Sequence, residues 1–128
     1  MSKIYALGIL VMSVLLLPYC QQEQFTQGKR IYDVNCSNCH MADGKGLGAM
    51  YPDITISAYL SNLKSELPCL IINGKQGQIM ENVNMPGNKN LTAVGLNNLI
   101  NYLNHTWGDG SMANLNDIKL QMEKCKED

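Results

Sequence analysis

Apolar residues recur at helical spacing in four separate stretches of the chain, each bounded by turn-forming residues. Phe25, Gly28, Ile31, Tyr32 and Cys36 fall three and four apart, which predicts a helix ending near Cys36. Leu67, Leu70 and Ile71 predict a second helix from about Ser65 to Asn73. Ser65 would be its N-cap, Pro68 would sit in the first turn, and Asn73-Gly74 would stop it. The clearest stripe is Leu96, Leu99, Ile100, Leu103 and Trp107, a helix from about Ala93 to Thr106. Thr92 suits its N-cap, with Leu91 and Leu96 at the two positions of a hydrophobic staple. Gly108-Asp109-Gly110-Ser111 breaks that helix. Leu115, Ile118, Met122 and Cys125 then predict a short final one over an extension from 108 to 128. Asp43 to about Ser57 reads as loop, and residues 75–90 read as irregular. No alternating strand pattern stands out, so the expected class is all-α.

Residues 1–19 follow a different pattern. Lys3 precedes an uncharged apolar run from Ile4 to Leu17, long enough for the core of an export signal and short for a membrane span of about 20 residues. Cys20 follows Leu17-Pro18-Tyr19, as in a lipoprotein signal cleaved before a lipidated cysteine. Tyr19 is bulkier than the small residue usual before that cysteine. Residues 20–24 would be a tether. Export, a periplasmic location and a lipid anchor in a bacterial membrane are the expectation.

Composition narrows the field. The chain has 128 residues, enough for one small domain, and a formal net charge of −1. Without Lys3 the charge is −2. No basic patch for nucleic acid is present. Lys29, Arg30, Lys45, Lys75 and Lys89 could form a local docking patch, although scattered solvated lysines are the simpler reading.

The chemistry lies in Cys36-Ser37-Asn38-Cys39-His40. This C-x-x-C-H spacing is the attachment signature of c-type haem. Two thiols two residues apart can reach the two vinyl groups of one porphyrin, and the next histidine can supply a nitrogen to its iron. Two other readings of these cysteines are weaker. A thiol oxidoreductase needs a βαβ context, and a zinc site needs a second well-spaced pair that only Cys69 and Cys125 could supply.

From Phe25 to Trp107 the chain resembles a small monohaem class I c-type cytochrome. Gly28 and Tyr32 match the family's small and aromatic residues before the haem cysteines. Leu99 and Tyr102 match the pair on the C-terminal helix that crosses them. The resemblance implies that the carbonyl of Pro52 accepts a hydrogen bond from His40, orienting the proximal ligand. It also implies that Met85, followed by Pro86, is the distal ligand, with Met80 in the same segment as its rival. Met41 adjoins His40 and cannot easily reach across a ring. His105, the other histidine, lies off the apolar stripe and shares a face with Asn98 and Asn101, a solvated face by spacing.

Cys69 and Cys125 remain. Each could be a small buried apolar residue, but in an exported protein two unassigned cysteines more often pair. A bond between them would close a long loop, worth about 4 kcal/mol in the chain-entropy model, and would hold the last helix on the domain.

These readings imply a one-electron carrier that is not itself an enzyme, acting as a monomeric domain with redox proteins as transient partners. The alternative is a haem c electron-entry subunit of a respiratory oxidase, reductase or dehydrogenase. A haem enzyme or gas sensor would need an open sixth iron position.

Overall fold

α1 (Thr26–Asn35) occupies the stretch its apolar spacing defines, with Phe25 and Cys36 at its two caps. The computed structural model describes residues 25–48, 50–56, 60, 66–77 and 84–126. The signal and tether regions, Cys20, Ser65 and Met80 lie outside the described residues. After α1 come α2 (Ser37–His40), α3 (Leu67–Asn73), β1 (Gly74–Lys75), β2 (Met85–Pro86), α4 (Ala93–Trp107) and α5 (Leu115–Lys124). The fold is all-α, with a two-residue antiparallel ladder pairing Gly74 with Pro86 and Lys75 with Met85.

The core forms where α1 crosses α4. Tyr32, Leu96, Leu99 and Ile100 are fully buried there. The crossing is close because Gly28 has no side chain. A Cβ at that position would stand 2.5 Å from the Cβ of Tyr102 and overlap the carbonyl oxygen of Asn98. Tyr32, Tyr102 and Trp107 pack edge-on or tilted beside it, with ring centroids 5.2–6.0 Å apart.

α4 starts as the sequence predicts. The Thr92 hydroxyl accepts from the Gly95 N–H at 3.1 Å, and Leu91 and Leu96 both pack into the core. The helix runs one residue beyond the expected end, to Trp107. α3 begins later than expected. Glu66 is at its cap position and makes no side-chain capping bond. Pro68 lies in the first turn, where no intrahelical N–H is lost.

Two expectations are corrected. Residues 74–75 and 85–86 form a ladder where the sequence reads as irregular, because two-residue strands are too short to show an alternating pattern. Asn101 is buried, although spacing places it on the solvated face with His105. The chain after α4 covers it: the Ala113 N–H donates to Asn101 Oδ1 at 2.7 Å, and Asn101 Nδ2 faces the Ala113 carbonyl at 3.4 Å. Asn104, also fully buried, donates to Ser111 Oγ at 2.8 Å and to Asp109 at 3.1 Å. These amides dock the segment leading into α5, which then buries Ile118.

Candidate functional site

The Cys36–His40 pentapeptide forms one helical turn at the end of α1. The Cys36 N–H donates to the Tyr32 carbonyl at 2.8 Å, and the His40 N–H donates to the Cys36 carbonyl at 2.9 Å. Cys36, Cys39 and His40 therefore stand at i, i+3 and i+4, on one face. The Ser37 hydroxyl donates to the Asp33 carbonyl at 2.6 Å, joining this turn to α1.

The turn is closed by two contacts on its far side. Met41 has φ +60° and ψ 166°, a conformation that side chains rarely adopt. The buried Tyr32 hydroxyl holds it there by donating to the Met41 carbonyl at 2.6 Å. Burial also raises the ionisation range of Tyr32, so its hydroxyl keeps the proton it donates. The Gly46 N–H donates to the His40 carbonyl at 3.0 Å, drawing the following loop over the turn.

That loop carries Pro52. Its carbonyl oxygen lies 3.2 Å from His40 Nδ1. A carbonyl can only accept, so this contact requires the Nδ1–H tautomer and leaves the Nε2 lone pair available to a metal. The loop is shaped by a bridge from the Leu47 N–H to the Tyr51 carbonyl and by the Ile54 N–H donating to the Gly44 carbonyl at 2.9 Å. Asp53 accepts from the backbone N–H and the hydroxyl of Thr55, at 2.8 and 2.6 Å.

Met85 reaches the site from the ladder. At Gly74, which ends α3, φ is +76°, and a Cβ would lie 2.6 Å from the Gly87 nitrogen. Glycine thus lets the segment around Met85 run close against the end of α3. Asn88 then joins two helices, α3 and α1, to the segment after Met85. Its N–H donates to the Ile71 carbonyl at 2.9 Å, and its side chain donates to Asn35 Oδ1, also at 2.9 Å. Sequence reading missed this role for Gly74, Asn35 and Asn88. An Asn-Gly pair ending α3 was its only trace.

Cys36, Cys39, His40 and Met85 all line one cavity of about 550 Å³, in the usual size range for a cofactor site. Leu67, Leu70 and Ile71 of α3 and Leu99 and Leu103 of α4 form much of its apolar wall. Among the described methionines, Met50 also borders it, but only two residues from Pro52, on the loop that contacts His40. Met41, Met112 and Met122 do not line the cavity, and neither does His105. His105 is exposed and stacks on Phe25, with centroids 4.2 Å apart.

Cys36 and Cys39 are not joined in a disulfide. Burial pushes the Cys36 thiol up to about 11, and the neighbouring Cys39 adds to the shift. Cys69 and Cys125 are joined in a disulfide, with Cα atoms 5.2 Å apart. No group of three or more His, Cys, Asp or Glu residues gathers as a metal site among the described residues. Two thiols, an imidazole and a thioether around an apolar cavity are instead a donor set that fits a covalently held porphyrin.

Comparison with protein families agrees with this chemistry. The cytochrome c family model matches residues 25–107, and the chain belongs to the cytochrome c family. Covalently attached haem c is its cofactor, and haem-based electron transfer its chemistry. No curated protein matches the sequence. The matched segment ends at Trp107, so α5 lies beyond it. No helix among the described residues is long and apolar enough to cross a membrane.

Proposed function

We propose that this protein is an exported, periplasmic one-electron carrier of the small monohaem class I type. In this reading Cys36 and Cys39 form the two thioether links, His40 is the proximal ligand and Met85 the distal one. The observation that carries it is that all four side chains line one largely apolar cavity. When bound, haem c supplies an iron that exchanges a single electron, and a thioether ligand favours its ferrous form.

The remaining roles belong to the chain's own groups. The Pro52 carbonyl orients His40 and raises the basicity of its ring. Pro86 restricts the backbone of Met85, which helps hold a weak ligand in place. Leu67, Leu70, Ile71, Leu99 and Leu103 keep water from the cavity. With His40 and Met85 both holding the group, no position would remain for a substrate, and contact with redox partners would be transient. Residues 1–19 serve as the export signal and Cys20 carries the lipid that tethers the domain.

Spectroscopy with intact mass analysis of the exported protein tests this reading. It expects one haem mass increment, a c-type pyridine haemochrome and the ferric sulfur-to-iron charge-transfer band. Met85→Ala should abolish that band. If Met85→Ala keeps the band and Met80→Ala loses it, the distal role passes to Met80. Rapid carbon monoxide binding to the ferrous parent at neutral pH would overturn the closed-site reading. Cys20→Ser should remove a lipid mass and release the protein from membranes.

A further inference from the structure

α5 lies beyond the family match, yet it is tied at both ends to the two helices that wall the cavity. We propose that α5 is a brace that positions the Met85 segment, with Cys125, Cys69 and Asn73 as its positioning residues. The proposal rests on the reading of Met85 as distal ligand.

The connections run as a continuous series. At its start α5 hangs from α4 through Asn101 and Asn104. Within it, Ile118 is 1% exposed and joins the same core as Leu99 and Ile71. At its end Cys125 is bonded to Cys69, in the middle of α3. One turn further along α3, Asn73 Nδ2 donates to the Cys125 carbonyl at 2.8 Å. Asn73 immediately precedes Gly74, which pairs with Pro86 beside Met85. Ile71, between the disulfide and the hydrogen bond, accepts from the N–H of Asn88, three residues after Met85.

The geometry makes the brace necessary to α3 in particular. α3 has only seven residues, too few to be stable as an isolated helix. It packs more against α5 than against α4. Its Leu67, Leu70 and Ile71 face the cavity, while Cys69 and Asn73 engage α5. α5 therefore holds the outer side of the helix whose inner side and C-terminal end set the cavity wall and the Met85 ladder.

The test uses the full haem-loaded protein carrying Cys69→Ser and Cys125→Ser together. Two quantities are read: the rate at which added imidazole displaces the distal ligand of the ferric protein, and amide exchange at Asn88 and Leu96. The expected result is displacement faster by about tenfold, the scale at which supporting groups act on metal ligands. Exchange should quicken at Asn88, while Leu96, hydrogen-bonded to Thr92 at the start of α4, keeps its protection. Displacement within twofold of the parent, or equal loss of protection at Leu96, would overturn the brace. If the double variant does not accumulate, Asn73→Ala, which keeps the disulfide, decides on the same two readings. Failure of the ligand reading shows separately, as a charge-transfer band that survives Met85→Ala; Asn88 exchange then still decides the brace.

Discussion

The Tyr32 hydroxyl donates to the carbonyl of Met41 at 2.6 Å, linking the middle of α1 to the residue just after His40. It is both a core contact and a clamp on the exit from the Cys36–His40 turn. Tyr32→Phe keeps the ring packing against Trp107 but leaves the Met41 carbonyl without this donor. The expected loss is about 1–3 kcal/mol, measured by denaturant unfolding of the holoprotein. Unchanged stability would mean that the hydroxyl is not the clamp.

Met41 itself stores backbone strain at φ +60°. Met41→Gly should relieve about 1–3 kcal/mol of it, partly offset by the greater freedom of glycine in the unfolded chain. The net expectation is a gain of about 1 kcal/mol in chemical denaturation. Met41→Val, branched at Cβ, should instead lower stability.

Gly28 controls how closely α1 approaches α4. Gly28→Ala places a methyl against Tyr102 and the Asn98 backbone, so the helices must separate. Overpacking of this kind costs about 1–3 kcal/mol, to be read as a lower thermal midpoint. A crystal structure of the variant with unchanged helix spacing would contradict this account.

Asp53 and Asp109 give the acid limb of stability a direction. The Thr55 hydroxyl and then the Thr55 N–H hold the Asp53 carboxyl below its ordinary 3.8, with Lys45 adding to the effect. The Ser111 N–H, the Ser111 hydroxyl and Asn104 do the same for Asp109. A depressed carboxylate contributes fully above its unfolded value and loses that contribution as pH falls through the lower folded value. Stability should therefore decline below about pH 4, and carbon-detected NMR titration should find both residues below the ordinary range. Thr55→Val should return Asp53 toward 3.8 without moving Asp109.

The Cys36–His40 turn was legible in the sequence because it is local. A C-x-x-C-H run spans one helical turn, so its spacing brings both thiols and the imidazole to one face whatever surrounds them. The same holds for α4, whose Thr92 cap and apolar stripe are set by neighbours within the helix. Asn101 was misread for the converse reason. Its burial depends on Ala113, which lies in a different segment, and periodicity within α4 carries no information about what later covers it.

By itself, then, the sequence determined the helical class, the Cys36–His40 turn and the α1–α4 pairing through Gly28 and Tyr102. Only the tertiary structure decided how Met85 is held near that turn. The Asn35–Asn88 hydrogen bond, the Gly74–Pro86 pairing and the Asn73–Cys125 hydrogen bond join residues far apart or carried on different elements. Such contacts arise from the approach of separately formed elements, and they leave no regular spacing along the chain.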